Sequence, residues 1–193
     1  MTTPSRLHPR PGARPPFAGP PLRAALTLVL LAAPALADES FLSRVTVGLE
    51  TVGAVSLTDA RTQGGIGGGV HVAFALDSHW QVYARAAWLW GLGSHTLVRA
   101  GAGWQREGTW RPLFHAGLAL GLGGALDFGL PGRAPPSRAP TLGVVVGAAL
   151  RRFQVESVSV AALELEAGVS TEFVSVGPRA GVTVLSLSVP LGP

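Results

Sequence analysis

Glu50, Arg85, Arg99, Glu164 and Glu166 are the residues of this 193-residue chain whose types and settings point to chemistry. Each sits in a stretch where apolar residues alternate with small or polar ones. On an extended backbone, successive side chains take opposite faces, so these charges fall opposite the apolar set. Held in a narrow interior they must pair, because an uncompensated buried charge costs several kcal/mol. The expectation is an interior ion-pair network. His115 lies near the middle of another such stretch. As a general base it needs a nucleophile and an orienting carboxylate within reach. The neighbouring pairs Ser78-His79 and Ser94-His95 do not supply one if they lie on strands, since adjacent side chains there diverge. A satisfied interior histidine is the expectation, with no catalytic residue. His71, His79, His95 and His115 show no close metal-ligand spacing, so no metal is expected. Gly65-Ile-Gly67 and Gly121-Leu-Gly123 lack the third glycine and the following helix of a dinucleotide fingerprint, so no cofactor is expected either. These glycines read instead as relief of crowding.

The elements that must position these groups are extended. In Arg111–Asp127, Phe114, Ala116, Leu118, Leu120 and Leu122 point one way. His115, Gly117, Ala119, Gly121 and Gly123 point the other. The same period of two predicts strands at Phe41–Val52, Gly67–Leu76, Trp80–Trp90, Thr96–Gln105, Thr141–Phe153, Ser157–Val169 and Arg179–Val189. With Arg111–Asp127 as the fifth, the count is eight. The phase of the last is ambiguous, because Val182 and Val184 disagree with Leu185 and Leu187. Leu120→Arg is expected to cost about 2–4 kcal/mol by entering hydrocarbon, and Gly121→Ser, facing the lumen, much less.

Composition narrows the setting. Charged residues are 13% of the chain, with no lysine or cysteine. Ordinary soluble domains carry about 25% charge. Arg6, Arg10, Arg14 and Arg23 precede the apolar run Ala24–Ala33 and an Ala35-Leu36-Ala37 site, the arrangement of a cleaved secretory signal over residues 1–37. Beyond it, residues 38–193 hold eleven arginines and eleven acids, a net charge of zero. The basic pI therefore belongs to the leader and gives no reason to expect nucleic acid. No apolar run reaches the roughly 20 residues of a spanning helix, whereas strands of about 9–11 residues fit. An all-β, antiparallel, eight-stranded up-and-down transmembrane barrel follows.

Connections and aromatics give the barrel a polarity. The links after strands two, four and six (Asp77–His79, Arg106–Gly108, Gln154–Glu156) are short. Those after one, five and seven (the first at Ser56–Gly65) are longer. Short periplasmic turns and long outer loops characterise bacterial outer-membrane barrels. Trp80, Trp104, Trp110, Phe41 and Phe153 fall near one end. Trp88, Trp90, Phe128 and Phe173 fall near the other, as two interfacial girdles. In this pattern the segment 38–193 resembles the OmpA-like and OmpX-like eight-stranded barrels. Those barrels usually finish on an aromatic residue, whereas this sequence runs Val189-Pro-Leu-Gly-Pro193.

The resemblance implies an outer-membrane protein with a plugged lumen and a structural or surface-binding role rather than an enzyme. Its implied partners are outer-membrane lipid, lipopolysaccharide and the barrel assembly machinery. The Gly129–Pro140 loop, with Arg133 and Arg138, is a candidate contact for a surface ligand. Two alternatives remain open: a lipid A-modifying barrel enzyme, and a secreted lipocalin-like barrel holding an apolar ligand.

Overall fold

The computed structural model describes residues 39–57, 62–92, 95–107, 111–123, 140–172 and 175–192. A single helical turn, α1 (Glu39–Leu42), precedes eight strands: β1 (Val45–Leu57), β2 (Thr62–Ala75), β3 (Trp80–Leu92), β4 (His95–Gln105), β5 (Leu113–Gly123), β6 (Thr141–Val155), β7 (Val158–Glu172) and β8 (Ser175–Pro190). Each strand pairs antiparallel with the next, and β8 pairs with β1, so the sheet closes into a barrel. Closure removes the sheet edges that would otherwise leave backbone groups unpaired. Among the described residues, no helix is long and apolar enough to cross a membrane.

A hydrogen-bonded row can be followed round the wall, from Thr46 through Ala73, Tyr83, Gly101, Gly117, Val145, Gly168 and Arg179. It returns to β1 at Ser56, ten residues further on. That stagger tilts the strands, typically by about 35–45° in closed barrels. It also lets residues far apart in sequence share one level of the lumen.

The apolar residues lie outside. Leu49, Ile66, Val70, Phe114, Leu118, Val144, Val146, Leu165 and Val169 are exposed, while Glu50, Arg85, Arg99, His115, Glu164 and Glu166 are buried. This inverts the ordinary distribution of a water-soluble domain.

Several boundaries differ from the sequence reading. The first strand starts at Val45 rather than Phe41. Phe41 belongs to α1, and its ring lies 4.9 Å from that of Phe74. The loop expected at Ser56–Gly65 is largely strand, since β1 runs to Leu57 and β2 begins at Thr62. The fifth strand begins at Leu113, not Arg111: Pro112 has no N–H to give a ladder, and Arg111 has φ 36°. The turn expected at Gln154–Glu156 is Glu156–Ser157, β7 runs on to Glu172 rather than Val169, and β8 is longer than expected at both ends.

The ambiguous phase of the last strand has a structural cause. Val184 and Leu185 both point outward, and the β1–β8 register shifts between Thr51 and Val52. On β6 and β7, Leu150 and Leu163 sit at the same irregularity without ladder partners, and Leu163 has φ 57°. The inward phase slips by one residue along this seam. Alternation therefore holds on each side of it, but not across it.

The leader expected over 1–37, Trp110, Phe128, Phe173, and Arg133 and Arg138 of the 129–140 loop lie outside the described residues.

Candidate functional site: the lumen charge belt

The inward positions stack in layers because every strand contributes alternate residues to one narrow interior. Glu50 comes from β1, Arg85 from β3, Arg99 from β4, and Glu164 and Glu166 from β7. The structure brings all five together. Arg99 donates from Nη2 to Glu50 Oε1, and from Nη1 to Glu166 Oε1 at 2.6 Å. Arg85 donates from Nη1 to Glu164 Oε1, and its Nη1 lies 3.5 Å from Glu50 Oε2. Arg85 and Arg99 are cross-strand partners, so two guanidiniums sit side by side on the wall. Glu50 faces both and offsets their repulsion.

Sequence reasoning missed the reach of this cluster. His115 Nε2 stands 3.0 Å from Glu164 Oε1 and 3.9 Å from Glu166 Oε1, while its Nδ1 is 3.2 Å from the Tyr83 hydroxyl. The Tyr83 ring meets the imidazole edge-on and carries the Arg85 guanidinium 4.9 Å from its centroid. The available signal was Tyr83 itself, the single tyrosine of the chain, on the inward face of β3 beside Arg85. Room for these side chains comes from glycine. A Cβ on Gly147 would meet the His115 ring, with Cε1 at 2.7 Å.

His115, Glu164 and Glu166 also offer three ligand atoms within 4.8 Å of one another, a spacing a metal ion could use. Both carboxylates already accept from guanidiniums at those same oxygens. A dication would have to enter against two fixed positive charges, so the group reads as an ion-pair cluster rather than a metal centre.

Above the belt lies an apolar layer of Val52, Ala87, Leu89, Leu97, Ala119 and Val145, each no more than 2% exposed. Beyond that layer the interior is polar again, and Thr141 Oγ1 donates to Gln63 Oε1 at 3.1 Å. Below the belt, toward the end that holds α1 and the short turns, a cavity of about 40 Å³ is lined by His71, Tyr83, Arg85, Arg152, Ser186 and Ser188 among others. That is room for about three waters. At this mouth Arg152 donates to Gln105 Oε1 at 2.7 Å.

The tryptophans among the described residues are outward. Register places Trp80, Trp104 and Phe114 in one row near the short-turn end, with Trp104 stacked on Phe114 at 6.2 Å. Trp88 and Trp90 lie on β3 toward the opposite end.

Ser78 and His79 stand in the β2–β3 turn rather than on a strand, so the expected divergence of their side chains does not hold. Ser78 Oγ is 2.8 Å from His79 Nδ1, and His79 Nε2 is 3.8 Å from Glu107 Oε1. Asp77 organises this turn by accepting the backbone N–H groups of Trp80 and His79 at 2.7 Å each, which hold its carboxyl below the usual carboxylate range.

No protein-family model matches the chain, and no curated protein matches it either. Among solved structures, it is similar to the Neisserial surface protein A, with a TM-score of 0.51 and 13% identity over 77% of this chain and 97% of that one. The N-terminal β-barrel domain of Pseudomonas aeruginosa OprF aligns with a TM-score of 0.49 and 16% identity, over 74% and 96% of the two chains. The Yersinia pestis attachment invasion locus protein Ail aligns at 0.43 and 11%, over 75% and 95%. With the Neisserial surface protein A the chain shares the closed, antiparallel eight-stranded barrel fold.

Proposed function

We propose that this chain is an outer-membrane barrel protein with a plugged lumen, serving a structural or surface-binding role rather than conducting solutes or catalysing a reaction. One observation carries the reading: the wall is apolar outside and charged inside. Burying an apolar wall in hydrocarbon removes it from water, and the strands' lengths suit a bilayer core. The charge belt fills the interior at mid-depth. In this reading residues 1–37 are a cleaved export leader, and barrel assembly machinery inserts the chain. Lipid and lipopolysaccharide surround the wall, with Trp80, Trp104 and Trp110 in one interface and Trp88 and Trp90 in the other. The 129–140 loop is the surface from which a ligand would be held.

The same inversion runs against a soluble lipocalin-like carrier, which would keep its apolar face inside. The Ser78–His79 contact is the one observation favouring a lipid-modifying enzyme, but Glu107 stands 3.8 Å away on an exposed rim, too far to orient the imidazole firmly.

Heat-shift electrophoresis of the isolated outer-membrane fraction tests the reading. The expected result is a band there whose mobility changes on boiling, with Asp38 as its N-terminal residue. A soluble periplasmic or secreted product without heat shift would overturn it. A lipid A mass change on expression, abolished by Ser78→Ala, would establish the enzymatic reading instead.

A further inference from the structure

We infer that the lumen is two polar chambers divided by an apolar septum, and that this septum, rather than the ion-pair belt, is what stops ions. The inference rests on the plugged-barrel reading and adds where the plug is. The septum comprises Val52, Ala87, Leu89, Leu97, Ala119 and Val145, drawn from five of the eight strands, β1, β3, β4, β5 and β6. Leu89 and Leu97 are both 0% exposed within a wall only eight strands round. None of the six could replace the hydration of a passing ion, and on the β7–β8 side, which gives the septum no apolar side chain, the buried Arg179 lies in register with Val145 through Gly168 and repels a cation.

The belt is a poorer barrier. Its guanidiniums and carboxylates offer a polar surface along which water and small solutes can exchange partners. The cavity beneath it reaches Arg85 and Glu164 themselves. The chamber on the short-turn side therefore holds water as far as the belt, where Arg85 Nε and His71 Nδ1 have no protein partner. The opposite chamber, holding Gln63 and Thr141, is reached only from the other mouth.

The chain contains no cysteine, so single cysteines can report wetting without a background. Ser186→Cys places a thiol in the lower chamber, and Val145→Cys places a near-isosteric one in the septum. With the folded full-length barrel in lipid vesicles, a small cationic methanethiosulfonate should label Ser186→Cys readily. Val145→Cys should react at least about a hundredfold more slowly, since a charged reagent must shed water to reach it. Planar-bilayer recording of the same protein supplies the second readout. Leu97→Ser with Leu89→Ser should open a current, whereas Arg85→Met with Glu164→Gln should not. If Val145→Cys labels as fast as Ser186→Cys, or if only the belt variant conducts, the septum is not the barrier. A steady current through the unaltered barrel would instead overturn the plugged-lumen reading beneath it. Should the double serine variant fail to show heat-shifted mobility, the labelling ratio alone decides.

Discussion

Glu50 sits where two guanidiniums converge, and each guanidinium in turn meets two carboxylates. Removing one partner leaves another buried and uncompensated. Glu164→Ala should therefore lower stability by about 3–5 kcal/mol. The double change Arg85→Ala/Glu164→Ala should cost less than the two singles together, by about 0.5–3 kcal/mol of coupling. Urea unfolding in lipid vesicles measures all four corners of that cycle, and additive singles would dissolve the pair. The five belt charges were legible from alternation alone. The approach of His115 to Glu164 was not, because it crosses the lumen at a level set by the stagger of the wall. Gly121 shows how closely the lumen is filled. A Cβ there would lie 2.5 Å from Thr141 Oγ1 and 2.7 Å from Gln63 Oε1. Gly121→Ser therefore requires the Thr141 hydroxyl and the end of the Gln63 side chain to shift, and it is still expected to cost less than Leu120→Arg. Asp77 gives a pH dependence of known sign. Its carboxyl is lowered in the fold, so its contribution is present above the unfolded value of 3.8 and lost as pH falls through the folded one. Asp77→Asn should flatten that acid limb without altering stability's pH profile above about pH 6, as unfolding midpoints at a series of pH values would show.

Strand by strand, the period of two located the elements well where nothing interrupts it. β3, β4 and β5 fall on the expected faces throughout, from Trp80 to Trp90, Val98 to Trp104 and Phe114 to Leu122. The method failed at the ends and along the seam. Phe41 continues the apolar pattern yet folds into α1, because periodicity cannot tell a strand's start from a turn that packs on it. Across the seam, alternation changes phase, and a window spanning Val182–Leu187 averages two correct answers into none. Leu163 and Leu165 offer a controlled test of the strain there. They are 48% and 49% exposed on the same strand, but only Leu163 has φ 57°. A left-handed backbone costs a non-glycine residue about 1–2 kcal/mol. Leu163→Gly should consequently be less destabilising than Leu165→Gly by about 1 kcal/mol. Equal losses in vesicle unfolding would mean the seam stores no backbone strain.

At the scale of the molecule, the barrel's neutrality in charge and its inside-out polarity were both readable before any fold was known, since 13% charge leaves too little to cover a water-exposed surface. The level at which a given side chain sits was not readable, because the closing pair β1–β8 fixes it. That same stagger has a bearing on time. The belt's hydrogen bonds join residues 35, 49, 67 and 79 positions apart. Glu164 and Glu166, on β7, cannot reach Arg85 and Arg99 in the finished geometry until the wall has curled round to bring those strands face to face. The belt is thus completed after the slow step of closure, and long-range pairing of this kind is the part of a β topology that forms late. Interactions missing from the transition state act on the rate of opening rather than of forming. Glu166→Gln, which removes a β7 contact to Arg99, should accordingly speed unfolding in concentrated urea while leaving the refolding rate into vesicles nearly unchanged. The charges at the centre of the barrel thus act as a latch that engages only when the ring is whole.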